Sequence, residues 1–454
     1  MTGSILIEGQ AYSYNRQLAD GFGPRLTGSD AYGAAADWAE RQFKSLGLKV
    51  HIEMWTIPAA WEPQETGQAQ MIAPRRQILH LQSLGWSPST PLKGITGKVV
   101  YVKDVLNASS LRAQAAEIRG NIALVDQASF ALNGPLPLGT LIANLQSLSS
   151  LGAKALIMGY GPPNNLISQK GLEGDGRLTP LPTAGLGQED TALIRRLLQN
   201  GPVTMSFSFT NHIRPNVTVK TVVAELPGRE TSNDWVLLGA HLDSWHPGTG
   251  AQDNGSGVAV VMEAARAIMA SGRPPRRSLR FVLFGGEEEG LLGSREYVRA
   301  HRRELQDCTA ALITDLGAGP PLGWYSFGQA QVEKDMAAIE PLLRGLGAAK
   351  LTDDNANFFD SDHSAFLSAG VPSLFMWTDH AKYDQVYHLP ADTFDKVNER
   401  DLDLTAAAFA ATAYAVADLP VSFGKHLSPP EVMALFAKAH VLEQYKSMVA
   451  NGLL

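Results

Sequence analysis

From Thr218 to Ala417 the chain alternates short apolar runs with helical stretches, and few architectures accept that rhythm. Val219–Leu226, Trp235–Ala240, Leu279–Phe284, Ala310–Thr314, Gly323–Phe327 and Pro372–Trp377 read as strands. Gly257–Ala270, Leu291–His301, Ser364–Ala369 and Asn398–Ala417 read as helices, as does Val332–Leu346 with a break near Pro341. Apolar strands interleaved with helices predict an α/β fold: a mixed, mainly parallel sheet with helices on both faces. Ligands of such folds bind beyond the strand ends.

Upstream the texture differs. Residues 30–47 form an amphipathic helical pattern stopped by Gly47, and Leu48–Met54 looks like a strand. A turn-rich stretch with Pro58, Pro63 and Pro74 follows. Lys98–Val102, Gly120–Val125, Ala153–Met158 and Val203–Phe209 are short strands, joined by helices over Leu138–Leu151 and Glu189–Leu198. The expected organisation is residues 1–92 as the first part of a main domain, 93–208 as a β-rich insert, 209–420 as the rest of the main domain, and 421–454 as a helical tail.

The 454 residues exceed one ordinary domain, and a 44% hydrophobic, 18% charged composition is that of a globular protein. A net charge of −7 without a basic stripe argues against a nucleic-acid partner. No apolar run reaches membrane-span length. The stretch Met1 to Gln10 lacks a basic start and an apolar core, so no signal peptide is expected. Cys308 is the only cysteine, and its plain reading is a small packing residue. Any metal site must therefore use His, Asp and Glu.

Those residues recur just past the strands. His241 ends one strand, and Asp243 stands two residues on, placed to fix the imidazole tautomer. Gly250-Ala-Gln-Asp253-Asn-Gly-Ser-Gly257 is a glycine-rich turn entering a helix. A phosphate cradle is set aside there because the lysine and spacing of a P-loop are missing. Glu287-Glu288-Glu289 follows a buried strand directly, and three adjacent acids there are costly unless something positive neutralises them. A metal explains the triplet if one acid ligates and a neighbour acts as base. Asp315 ends a further strand, and His388 lies in a turn. Each signal alone also fits a solvated loop residue. Together, nitrogen and oxygen donors without sulfur suit Zn²⁺ at a catalytic site, and a bridging acid implies two ions ~3.5–4 Å apart.

The stretches His241-Leu-Asp-Ser-Trp245, Gly250–Gly257, Glu287-Glu-Glu-Gly-Leu-Leu-Gly-Ser294, Ser361–Pro372 and Tyr387-His388 resemble the co-catalytic zinc aminopeptidase and glutamate-carboxypeptidase family. Pro24–Ser29 fits its N-terminal opening, and 93–208 looks like its protease-associated domain. By that resemblance, two Zn²⁺ are expected: His241 and Asp315 on one, Glu288 and His388 on the other, and Asp253 across both. Glu287 becomes the general base, Asp243 a supporting catalytic residue and Glu289 a variable third position. Tyr387 is expected to donate to the developing oxyanion or else to pack beside the ligand. Asp362 and His363 either line the pocket or cap the following helix. Trp245 and Leu316-Gly317 look like the carboxypeptidase Q branch, whereas Tyr387 before the ligand departs from it.

The activity implied is hydrolysis of short, unblocked peptides by a dipeptidase-like exopeptidase. The alternative is an aminopeptidase acting on longer peptides. A glutaminyl cyclase is remoter because His241 and Asp315 are both present, and a non-catalytic receptor ectodomain is remoter because Glu287 is kept. The resemblance also leaves a homodimer, and secretion or a periplasmic location with the leader absent, as expectations, with a cytoplasmic location open.

Overall fold

A computed structural model describes residues 1–130, 138–354 and 357–454. The chain divides into two compact units, one of residues 1–57 with 218–442, the other of 58–217 with 443–454.

The first unit is built on an eight-stranded sheet. Its strand order is Lys49–Thr66, Phe209–Leu226, Ser278–Phe284, Trp235–His241, Cys308–Ile313, Ser373–Thr378, Pro321–Tyr325, Lys350–Thr352. The central strands pair in parallel, and Phe209–Leu226 and Pro321–Tyr325 pair antiparallel to their inner neighbours. Every residue of Trp235–His241 and of Cys308–Ile313 is buried, so both faces of the sheet are covered. Helix Gly255–Ala270 starts on Asn254, whose side chain accepts the Gly257 N–H at 2.9 Å. It packs on Glu399–Asp418 and on Trp235–His241. Helix His363–Ser368 packs on Leu292–Ala300 and on Ser373–Thr378.

Register then fixes what emerges together. His241 pairs with Phe284, and Gly239 pairs with both Val282 and Ile313. The residues following these strands leave the sheet at one edge: Asp243, the Gly285–Glu289 turn, and Asp315.

The second unit has its own eight-stranded sheet, ordered Gln77–Leu79, Ala69–Ala73, Thr204–Phe207, Ile95–Tyr101, Ile122–Asp126, Ala155–Gly159, Thr183–Leu186, Leu81–Ser83. Four central strands run parallel, and Leu138–Ser150 and Gln188–Leu198 supply helices. This unit is wider than the 93–208 read from sequence. Part of the stretch read as turn-rich is strand: Pro58 and Pro63 lie inside Lys49–Thr66 and Ala69–Ala73 belongs to the second sheet, whereas Pro74 falls in the bend after it. Proline removes a ladder donor but is tolerated where that N–H has no strand to bond. The last part of the chain carries two helices, Pro429–Lys438 in the first unit and Leu442–Ala450, which from Glu443 on belongs to the second.

Candidate metal centre

Two imidazoles and four carboxylates converge at the strand edge of the first unit. His241 Nε2 lies 3.0 Å from Asp315 Oδ1, 3.3 Å from Asp253 Oδ1 and 4.0 Å from Glu287 Oε2. His388 Nε2 lies 3.0 Å from Glu288 Oε2 and 3.2 Å from Asp253 Oδ2. Asp253 thus presents one oxygen to each imidazole. His388 adopts φ +57°, a left-handed conformation that a non-glycine residue holds at some cost and that turns its ring inward.

The electrostatics describe a site short of positive charge. Burial and the Asp253 carboxylate push Glu288 up to about 7. Burial, reinforced by Asp315 and Glu288, raises Glu287 well above the carboxylate range. Burial likewise raises Asp315. Burial disfavours a charged His388, yet Glu288 and Asp253 outweigh it and carry its pKa to about 10. His241 behaves alike, with Asp315 and Glu287 overcoming burial. Asp253 is held low despite its burial because both imidazoles bond to it. Glu288 Oε1 is buried and finds no hydrogen-bond donor among the described residues.

A divalent cation fits these facts. Ligand atoms on one tetrahedral zinc, at bonds of ~2.0–2.1 Å, sit roughly 3.3 Å apart, and the contacts here run from 3.0 to 3.3 Å. Two overlapping sets, His241 with Asp253 and Glu288, and His241 with Glu287 and Asp315, each bring their donor atoms within 4.8 Å of one another. All donors are nitrogen or carboxylate oxygen, the set that suits catalytic zinc.

Three supports hold the cluster. The His241 Nδ1 contact of 3.1 Å is with the main-chain carbonyl of Asp243, while the Asp243 carboxylate stands off at 3.6 Å. That carboxylate instead accepts the Glu288 N–H at 3.2 Å. So the tautomer expected from the Asp243 side chain is set by its backbone, and the side chain positions the turn bearing Glu288. Asp392 accepts the N–H groups of Gln252 and Asp253 at 2.7 and 3.1 Å, tying the turn that carries His388 to the loop that carries Asp253. Arg25, fully buried, donates to the carbonyls of Leu242 at 3.0 Å, Thr249 at 2.8 Å and Gly250 at 3.0 Å. Sequence reasoning passed over the roles of Arg25 and Asp392.

Tyr387 stacks on His388 with ring centroids 3.7 Å apart and is 44% exposed. Trp245 lies against the same imidazole at 5.8 Å. Glu289 is buried beneath the turn, where burial and Asp243 raise its carboxyl well above the usual range. Asp362 precedes helix His363–Ser368 without making a side-chain cap bond, so the capping role does not hold. His363 is buried and stacked on Phe327 at 4.6 Å and on Phe375 at 4.5 Å.

The chain is similar to known proteins along most of its length. Residues 221–413 match the profile of Peptidase family M28. Human carboxypeptidase Q is 30% identical, over 90% of this chain and 86% of its own length. Aminopeptidase YwaD of Bacillus subtilis (strain 168) is 27% identical, over 88% of this chain and 83% of its own. The crystal structure of a Peptidase M28 precursor from Shewanella amazonensis SB2B superposes with a TM-score of 0.80 at 27% identity, covering 94% of this chain and 97% of that one. Among the described residues no helix is long and apolar enough to cross a membrane. The chain belongs to peptidase family M28 and is a metallo-exopeptidase, a hydrolase of peptide bonds.

Proposed function

We propose that the protein hydrolyses short peptides with both ends free, dipeptides above all, at a centre holding two zinc ions. The observation that carries the two-ion reading is Asp253, whose two oxygens lie 3.3 and 3.2 Å from His241 and His388. In this reading His241 and Asp315 hold one ion, Glu288 and His388 the other, and Asp253 serves both. When bound, such a pair polarises the scissile carbonyl and lowers the pKa of the attacking water from 15.7 towards about 7.

The chain's own residues do the rest. Glu287 takes the proton of the attacking water and returns it to the leaving amine. Its buried setting, which raises its pKa, suits a base that must also act as acid. Asp243 and Asp392 keep the Glu288 turn and the Asp253 loop in place. Tyr387, stacked on His388, donates its hydroxyl to the developing oxyanion.

The preference for dipeptides draws on the relatives. One is named a carboxypeptidase, which acts at a free carboxyl end, and another an aminopeptidase, which acts at a free amino end. A dipeptide offers both ends to one bond. The test compares free dipeptides with N-acetylated dipeptides, C-amidated dipeptides and longer peptides by mass spectrometry. Free dipeptides are expected to turn over fastest. Rapid N-terminal trimming of long or C-amidated peptides would identify an aminopeptidase instead. Cleavage inside doubly blocked peptides would refute the exopeptidase reading.

A further inference from the structure

We propose that Asp360 is a specificity-determining residue of the exopeptidase, its carboxylate receiving a primary ammonium group of the peptide at the rim of the metal centre. This rests on the reading above, in which the substrate carries a free amino end next to the scissile bond.

The sheet fixes where Asp360 stands. Ile313, two residues before Asp315, pairs with Phe375, and Phe375 pairs on its other side with Tyr325. Tyr325 and His363 both lie against the Phe375 ring, at 5.9 and 4.5 Å. The helix that His363 begins packs on Cys308–Ile313 and on Ser373–Thr378. The segment from Asp360 to His363 therefore runs over the Phe375 face of the sheet, beside the strand end that carries Asp315. Electrostatics agree with that position. Ser361, the next residue, has a hydroxyl that opposes the burial raising Asp315. Burial raises the Tyr325 phenol, and Asp354 and Asp360 add to it.

Asp360 differs from its neighbours in being reachable. Ser361, Asp362 and His363 are buried, whereas Asp360 is exposed. Protein still crowds its carboxyl: burial, with Asp315 adding, pushes it up to about 6. A carboxyl that water reaches and protein desolvates lies in a recess, not on a convex surface. Among the described residues it has no ion-pair or hydrogen-bond partner. It is ionised at neutral pH, and such a group gains most from a ligand that brings both charge and donors. A primary ammonium brings one charge and three donors. A peptide offers it in two places, the α-amino end and a lysine side chain.

The experiment is isothermal titration of zinc-chelating hydroxamates into the zinc-loaded protein, wild type against Asp360→Asn and Asp360→Glu. Leucine hydroxamate is compared with isocaproic hydroxamate, which lacks the α-amine. Lysine hydroxamate is compared with norleucine hydroxamate, which lacks the side-chain amine. Wild type is expected to bind the amine-bearing member of at least one pair at least about ten-fold tighter. Asp360→Asn is expected to lose that preference and Asp360→Glu to keep most of it, with zinc content and melting temperature as in wild type. Loss in the first pair assigns the α-ammonium, and loss in the second assigns the lysine ammonium. Each ratio is taken within one protein, so a general weakening of the variant does not imitate the effect. A preference that survives in Asp360→Asn overturns the proposal, as does a wild type without preference in either pair. Failure of the dipeptide reading would show instead in the peptide turnover panel, and the hydroxamate pairs would still report on Asp360.

Discussion

The carboxylate of Asp253 is divided between two imidazoles, Oδ1 3.3 Å from His241 and Oδ2 3.2 Å from His388. A monodentate ligand serves one ion, whereas a carboxylate facing two donor sets couples them. Asp253→Ala is therefore expected to empty both metal positions, and His388→Ala to lower the content by about one ion per chain. Elemental analysis of the purified variants reads this directly. Retention of one tightly held zinc by Asp253→Ala would break the bridging assignment.

The acid triplet separates into roles by geometry. Glu288 Oε2 lies 3.0 Å from His388, Glu287 Oε2 stands 4.0 Å from His241, and Glu289 is buried beneath both. Glu287→Gln keeps the shape and removes the basic oxygen. It is expected to lower kcat by about 10²–10⁴ with zinc content unchanged, while Glu288→Gln lowers zinc content first. Exchanged phenotypes would move the base by one residue.

These separations show which parts of the site were legible in sequence. His241, Asp253, Glu287, Glu288, Asp315 and His388 were each marked by residue type and by place, next to an apolar run or a glycine turn. Parallel register then brings the strand-end residues to one edge. Arg25 and Asp392 carried no such mark, because their partners are main-chain groups, and any residue offers a carbonyl or an N–H. The same limit explains Asp243, where a backbone carbonyl took the contact expected of the side chain. The inserted unit was read too narrow for another reason: proline at 58 and 63 suggested turns, but strand pairing elsewhere decided the conformation.

Arg25 offers a test of that hidden layer. Its guanidinium joins the carbonyls of Leu242, Thr249 and Gly250, which flank the segments carrying His241 and Asp253. Burial lowers its pKa to about 10 against the pull of Asp392 and Asp243, so it remains charged at neutral pH. Arg25→Met leaves several buried carbonyls without donors, at about 1–3 kcal/mol each. A fall in melting temperature together with weakened zinc retention is expected. A variant that melts lower yet binds zinc as tightly as wild type would confine Arg25 to folding alone.

Zinc affinity is expected to rise with pH. Without metal, His388 is raised to about 10 and Glu288 to about 7. Both must be deprotonated to ligate, so protons compete with zinc. The sign follows: affinity increases with pH up to about the His388 value, and falls more steeply below that of Glu288, where a second proton must leave. Titration of zinc at pH 8 in buffers of different ionisation enthalpy is expected to register proton release. A pH-independent affinity with no released proton would contradict the assignment of these two ligands.

Tyr387 poses the final question of role. Its ring lies 3.7 Å from that of His388 and 5.3 Å from that of Tyr383, so packing accounts for the aromatic ring, and the oxyanion role concerns the hydroxyl. That hydroxyl is kept protonated: desolvation, with Asp253 and Glu288 adding, lifts its pKa well above the usual phenol value. A neutral phenol beside carboxylates is a standing donor, and a donor aimed at charge that develops only during reaction acts on the transition state. Tyr387→Phe keeps the ring and deletes the donor. The expected result is a loss of about ten-fold or more in kcat with KM little changed, and with zinc content and melting temperature as in wild type. Steady-state kinetics on a free dipeptide separates the two roles. An unchanged kcat would leave Tyr387 as the aromatic support of His388, and a change in KM alone would place its hydroxyl on the bound substrate rather than on the oxyanion.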